Sequence, residues 1–350
     1  MAKKKGPITV GVIGLGRAGW DIHVRRIRDR KDFKVVAVAE PDPERRKQAE
    51  DELGAKSFET IDELLAGSRA ELIVVATASV DHVPHSIKAL EAGRHVLVEK
   101  PMAGTFMDAD RLMAVVRTSD KVFTVHQSAR WAPEFAFVRG LVDGGRLGEV
   151  YFIRRGAYSY GRRNDWQRLA KYQGGTMNNN GVHLLDQCRL LMGAPIVDVF
   201  GDLQMVLSPG DTDDCMKVVM RGANGRVIDC EVYDACSAPM PSWVILGTRG
   251  SAVIQGKEAR LRCLKGELPP LELNDRPLVP GRRYGIIGQG REPLEWVEET
   301  VEPTADPGHS FYDLLQKAIR EGAPPPVDPE ICYEVAQVIE RARTKLTKRL

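Results

Sequence analysis

Ile8-Thr9-Val10-Gly11-Val12-Ile13-Gly14-Leu15-Gly16-Arg17-Ala18-Gly19 is the stretch whose reading decides the fold. Its first half is apolar and reads as a buried strand, and its second half is a GxGxxG turn. Such a turn alone is weak evidence, because glycine-rich turns arise by chance. Here a helix-compatible segment follows, then a second apolar run, Phe33 to Ala39, ending at Glu40, 24 positions after Gly16. Strand, glycine turn, helix, strand and terminal acid in that order form a dinucleotide-binding pattern. Gly14 permits the tight turn, Gly16 lets backbone approach a pyrophosphate, and Gly19 lets helix and strand pack closely, with Leu15, Arg17 and Ala18 completing the loop. The helix N-terminus, with its unpaired N–H groups, favours the pyrophosphate anion. Glu40 accepts hydrogen bonds from the adenosine ribose and repels a 2′-phosphate, so NAD is expected and NADP less so. Arg45 and Arg46 temper that preference.

Outward from this loop, apolar strands at Thr9–Ile13, Val35–Ala39, Leu72–Ala76, His95–Val98 and Val122–Val125 alternate with amphipathic helical stretches, the first at about Gly19–Arg28. Strands apolar throughout and separated by helices imply a parallel sheet covered on both faces. After Val125 the pattern changes to longer strands of alternating polarity, from Glu149–Tyr158 to Leu261–Leu264, joined by turns such as Ala223-Asn224-Gly225. The expected fold is therefore an α/β Rossmann domain with a doubly wound parallel sheet, 1–127, followed by an α+β domain, 128–350. The second domain carries an open, mostly antiparallel sheet with helices on one face, and the closing helices, about His309–Glu321 and Pro329–Leu346, are free to pack back on the first. The segment from Pro269 to Pro307 reads as an extended surface excursion. The sheet's other face is available to a second copy, which predicts a homodimer or homotetramer.

A chain of 350 residues suits two such cores. Its net charge of +2 gives no global field for nucleic acid. No apolar run approaches membrane-spanning length or reads as a signal peptide, and the six cysteines show no CxxC pair, so a cytoplasmic protein with free thiols is expected.

Three segments carry polar chemistry. Glu99-Lys100-Pro101 ends the fourth strand, where ligands of open α/β sheets lie. A partly desolvated lysine beside a nicotinamide ring has a lowered pKa and can exchange a proton with a substrate hydroxyl, while Glu99 can hold a cofactor ribose. In Gly174-Gly175-Thr176-Met177-Asn178-Asn179-Asn180-Gly181-Val182-His183-Leu184-Leu185-Asp186, Asn178 or Asn179 can cap a helix that carries Asn179, His183 and Asp186 on one face. Such a face can bind a polyol and relay a proton; a lone histidine with a capping amide is the plainer reading. No second His or Cys stands at ligand spacing, so no metal is expected. Tyr158 to Gln167, with Tyr160, Arg162, Arg163 and Trp166, offers aromatic faces for a sugar ring and cations for an acidic substituent, or simply a polar loop with aromatic anchors.

Together these residues resemble the Gfo/Idh/MocA oxidoreductase family, which includes glucose–fructose oxidoreductase and inositol 2-dehydrogenase. Its carriers are Gly14–Gly19, Thr77 through His82, Glu99-Lys100-Pro101, the Gly174-Gly175 pair with Gly181, His183 and Asp186, and Leu246-Gly247-Thr248-Arg249-Gly250-Ser251. The resemblance implies a proton-transfer pair, Lys100 and His183, beside the nicotinamide. It also implies that Thr77, Ala78, His82 and Gln127 lie on the cofactor side and Arg130 near the substrate. Two positions depart from the family pattern. Asn179 stands where an aspartate is usual, and Ala78-Ser79 replaces a Pro-Asn pair. The implied activity is NAD-dependent oxidation of a secondary alcohol on a sugar or cyclitol. Two rivals are a glycoside hydrolase or lyase that oxidises its substrate transiently, and an NAD-sensing protein without catalysis.

Overall fold

The computed structural model describes residues 6–268, 270, 294–306, 308, 310–343 and 346–349. Its first sheet contains β1 (Ile8–Ile13), β2 (Phe33–Ala39), β3 (Lys56–Phe58), β4 (Leu72–Val75), β5 (His95–Glu99) and β6 (Phe123–His126). All pair in parallel, in the order β3-β2-β1-β4-β5-β6. That order reverses direction between β1 and β4, opening a crevice at the carboxyl ends of the strands. Val10, Val12, Val38, Val74 and Leu97 are fully buried, as strands covered on both faces require. Local chemistry sets the helix starts. Asp42 caps Pro43–Leu53 by accepting from Glu44 N at 2.9 Å, with Pro43 in the first turn, and Thr60 and Thr105 cap the helices that follow them.

The second sheet has nine strands in the order β14-β13-β12-β11-β7-β10-β9-β8-β15. These are β7 (Val150–Tyr158), β8 (Ile196–Met205), β9 (Cys215–Gly222), β10 (Val227–Tyr233), β11 (Trp243–Gly247), β12 (Gly250–Gln255), β13 (Glu258–Leu264), β14 (Trp296–Val301) and β15 (Thr347–Lys348). β7 pairs with β10, and β8 with β15, in parallel; the other pairings are antiparallel. Met216, Val218 and Met220 alternate inward from β9 and join Trp243, Phe135 and Leu185 in a second core. On the open face, Tyr151, Val197 and Phe200 stay exposed.

The closing segment joins the two cores. Phe311, Tyr312 and Leu315, from the helix Phe311–Glu321, enter the first. The helix Pro329–Ala342 gives Cys332 and Ala336 to the first core and Val335, Val338, Ile339 and Ala342 to the second. All six cysteines are free, five of them buried.

Three expectations need correction. The helix after the glycine loop is not one α-helix: Ala18–Val24 is a π-helical turn, and only Arg25–Arg28 is α-helical. β14 lies inside the stretch expected to be an excursion. It is a charged edge strand whose Glu298 and Glu299 pair with Arg262 and Arg146, so it lacks the apolar alternation that betrays a strand. Residues 269, 271–293 and 307 of that stretch lie outside the described residues. So does His309, and the helix expected from it begins at Phe311.

Candidate functional site

The carboxyl ends of β1, β2, β4 and β5 open into a cleft of about 770 Å³, bordered by Gly16, Glu40, Thr77, Lys100, Trp166 and Asn179, within the size range of small-molecule sites. Gly14 has φ of +85°, and a Cβ there would come within 2.7 Å of Ala76 O. A Cβ on Gly19 would collide with the Gly14 carbonyl oxygen. A Cβ on Gly16 would meet nothing within 4 Å and would project into open space. Two glycines thus serve close packing, and the third leaves room for a ligand to approach the backbone. Glu40 accepts from Leu15 N at 2.6 Å and from Asp42 N at 3.2 Å, which locks it at the end of β2. Arg46 donates to the Glu40 and Pro41 carbonyls, while Arg45 borders the cleft, 3.8 Å from Glu40. Ala18 and Ala78 also border it. The loop, the acid and the helix start fit a dinucleotide.

Lys100 follows β5 and spans the cleft. Its Nζ donates to Asn179 Oδ1 at 2.9 Å and to Asn179 O at 3.2 Å. Asn179 belongs to a π-helical turn, Met177–Gly181, that leads into the α-helix Val182–Met192. Neither Asn178 nor Asn179 caps this helix. Asp213 Oδ2 accepts from Met177 N at 2.7 Å instead, and Asn178 Nδ2 donates to Gln173 O at 2.9 Å. His183, one turn on, donates from Nδ1 to Gln127 Oε1 at 2.7 Å, which leaves Nε2 with its lone pair. Burial pushes the Lys100 ammonium down, Arg17 and Arg163 add to that, and Glu99 opposes it. Burial and then the nearby charge of Lys100 push His183 down to about 3.

Glu99 borders the cleft, and its carboxylate is already bonded within the protein. Its Oε1 accepts from His126 Nδ1 at 2.8 Å and His23 Nε2 at 3.0 Å, and its Oε2 from Lys100 N at 3.1 Å. Burial alone would raise its pKa. The bonds from His126 and His23 outweigh that and hold the carboxyl well below the usual carboxylate range. Among the described residues, His23, Glu99 and His126 also form a group whose ligand atoms lie within 4.8 Å of one another, the separation a metal needs, but their N–H donors are aimed at the carboxylate. His82 is buried, with Nδ1 2.8 Å from Pro101 O and Nε2 3.2 Å from Thr77 O, so it braces the loops beside the cleft.

The other expected residues separate into two groups. Trp166 borders the cleft, as does Arg163, which is paired with Asp165 at 2.8 and 3.0 Å. Arg162 and Tyr160 are exposed and do not border it; Tyr160 forms a bridge to Ala235 beside the second sheet. Asp186, 1% exposed, is held by Arg130 through bonds of 2.7 and 2.6 Å, so the helix face expected to carry three polyol ligands splits, with the carboxylate engaged elsewhere. The π-helical turn changes the angular spacing between Asn179 and His183, whereas His183 and Asp186 share one α-helix and part through their partners, Gln127 and Arg130. Sequence reasoning missed His23, His126 and Asp213. No local spacing joins them to Glu99 or Met177; only the strand-end position of His126, beside Gln127, gave a signal.

Two family models match the chain. One, described as the oxidoreductase family NAD-binding Rossmann fold, covers residues 8–127, and the other, the GFO/IDH/MocA C-terminal domain, covers 135–253. An uncharacterised oxidoreductase of Schizosaccharomyces pombe is 28% identical, across 87% of this chain and 82% of its own. The scyllo-inositol 2-dehydrogenase (NADP(+)) IolW of Bacillus subtilis is 24% identical, across 97% and 94%. A crystal structure of an NAD-binding protein from Listeria innocua superposes with a TM-score of 0.78, at 25% identity, over 95% of this chain and 92% of that one.

Proposed function

The chain belongs to the Gfo/Idh/MocA oxidoreductase family, whose Rossmann domain binds a nicotinamide cofactor, and we propose that it is an NAD-dependent dehydrogenase of a secondary alcohol on a sugar, sugar derivative or cyclitol. The observation that carries this reading is the Lys100 amine, brought by β5 into the cleft and bonded there to two neutral oxygens of Asn179. The cofactor, when bound, supplies the acceptor for a hydride from the substrate carbon. Lys100, its pKa lowered by burial, takes the hydroxyl proton. His183, kept neutral, accepts a hydrogen bond at Nε2 and orients the hydroxyl, while Gln127 fixes the ring. Gly14, Gly16, Gly19 and Arg17 hold the pyrophosphate, and Glu40 the ribose. Thr77 and Ala78 line the path between them, and Trp166 offers a face to the sugar ring.

Glu40 supports NAD, although the inositol dehydrogenase relative is named for NADP(+). We place the two functional lobes at 1–127 and 128–350, and the open face of the second sheet, with Tyr151 and Phe200, against a second copy of the chain in the cytoplasm. The test is a panel of sugars, cyclitols and nucleotide-sugars, followed by absorbance of reduced nicotinamide with NAD and NADP in parallel. Stoichiometric NADH from at least one polyol is the expected result. Glycoside cleavage without net NADH would assign transient oxidation instead, and cofactor binding with no turnover would assign a sensor.

A further inference from the structure

The buried side chains under the reacting end of the cleft form one hydrogen-bonded chain drawn from four elements. Tyr312, from the helix Phe311–Glu321, lies 2.7 Å from His23 Nδ1. His23, on the π-helical turn after the glycine loop, reaches Glu99 through Nε2, and His126, at the end of β6, reaches the same oxygen through Nδ1. The donors follow from elimination. A carboxylate has no hydrogen to give, so both imidazoles donate to it. His23 Nδ1 is then the acceptor of the Tyr312 hydroxyl hydrogen. Among the described residues nothing bonds to His126 Nε2, which is buried. Burial pushes His23 down, which keeps it neutral. Glu99 is the carboxylate on which this network converges, and the two imidazole N–H groups that point at it favour its ionised form. Glu99 itself borders the cleft, next to Lys100.

We propose that Glu99 is a fixed counter-charge for the nicotinamide ring, held ionised by His23 and His126, and that it makes the chain bind the oxidised cofactor in preference to the reduced one. The inference rests on the reading that this cleft binds a nicotinamide dinucleotide. The oxidised ring carries a positive charge and the reduced ring does not, so a buried anion at this end stabilises only the oxidised form. Water outside the network cannot screen it, because Glu99 is 6% exposed and His23 and His126 are 0% and 2% exposed. The remaining charged groups that act on the network are Lys100, joined through its backbone N–H, Arg26, which acts on His23 and Tyr312, and Arg30, which acts on Tyr312. Glu99 in turn acts on Lys100, His82 and His183. It is therefore a positioning residue for charge, distinct from the amine that moves the proton.

The test is direct titration of the full chain with NAD+ and with NADH. In Glu99→Gln, the Kd for NAD+ should rise roughly tenfold more than the Kd for NADH. In Tyr312→Phe, which removes the outermost hydroxyl and leaves the carboxylate, the ratio of the two constants should stay within about twofold of wild type. Equal changes in both constants for Glu99→Gln would overturn the proposal, as would a Tyr312→Phe ratio that shifts as far as that of Glu99→Gln. If Glu99→Gln does not fold, carbon-13 NMR of the Glu99 carboxyl in the wild type decides. An ionised group from pH 5 to 9 supports the proposal, and a protonated group at pH 7 ends it. Failure of wild type to bind either cofactor would instead remove the functional reading on which this one stands.

Discussion

The two walls of the cleft are built by different means. On the β1 side, shape comes from backbone: a positive φ at Gly14, a helix pressed against Gly19, and Leu15 N bonded to Glu40, 25 residues away. On the other side, position comes from side chains that cross the molecule. Lys100 meets Asn179 across 79 residues, and His183 meets Gln127 across 56. Backbone sterics tolerate almost no substitution at Gly14 and Gly19, and the main-chain atoms they press on are present whatever residue stands opposite. Side-chain positioning is chemically richer, and each contact fails if either partner changes.

The sharpest way to break this contrast is at Arg130 and Asp186, a bidentate pair outside the cleft lining that ties the helix carrying His183 to the segment after β6. Arg130→Ala should cost about 3–5 kcal/mol in urea unfolding, because it strands a buried carboxylate, and replacing both residues with leucine or methionine should recover most of the loss. A next-largest effect should appear with pH. His23, His82 and His183 have depressed folded pKa values, so below about pH 6.5 the unfolded chain binds protons that the folded chain refuses. Stability is then full above that pH and falls as pH drops, by up to about 1.4 kcal/mol per histidine per pH unit. Asp213, raised to about 6 by burial, works in the opposite direction and offsets part of it. Thermal melts should show a lower Tm at pH 5.5 than at pH 7.5; an unchanged or higher Tm would mean that these histidines are solvated.

The first wall sharpens the comparison through two glycines. Gly19→Ala should destabilise the fold by roughly 1–3 kcal/mol, because its methyl group has no space. Gly16→Ala should leave the Tm unchanged and weaken NAD binding, since its methyl group enters the ligand's side of the loop. The smallest effect on cofactor use belongs to Glu40→Ala, which should narrow the preference for NAD over NADP by roughly tenfold and, by leaving Leu15 N without its acceptor, cost about 1–3 kcal/mol of stability. An unaltered preference would take Glu40 out of cofactor selection.

This contrast also explains what could be read in advance. The parallel strands around β1, the glycine loop and the acid that ends β2 were legible because each rests on neighbouring residues. The face shared by Asn179, His183 and Asp186 was drawn at α-helical spacing, and the π-helical turn Met177–Gly181 moved Asn179 onto Lys100 while Arg130 took Asp186. Glu99 read as a ribose ligand because nothing in its own segment announces His23 or His126. β14 was hidden by its composition: it pairs with β13 at the sheet edge, and Trp296, Val297 and Glu298 are all exposed, so no apolar face alternates along it.

The account turns on the Lys100 amine, and its most direct test sets Lys100→Met beside wild type on the same polyol panel, with NAD affinity measured on both. Turnover should fall roughly a thousandfold while the Kd for NAD stays within about threefold. Near-normal turnover of the variant would contradict the assignment of the proton to Lys100.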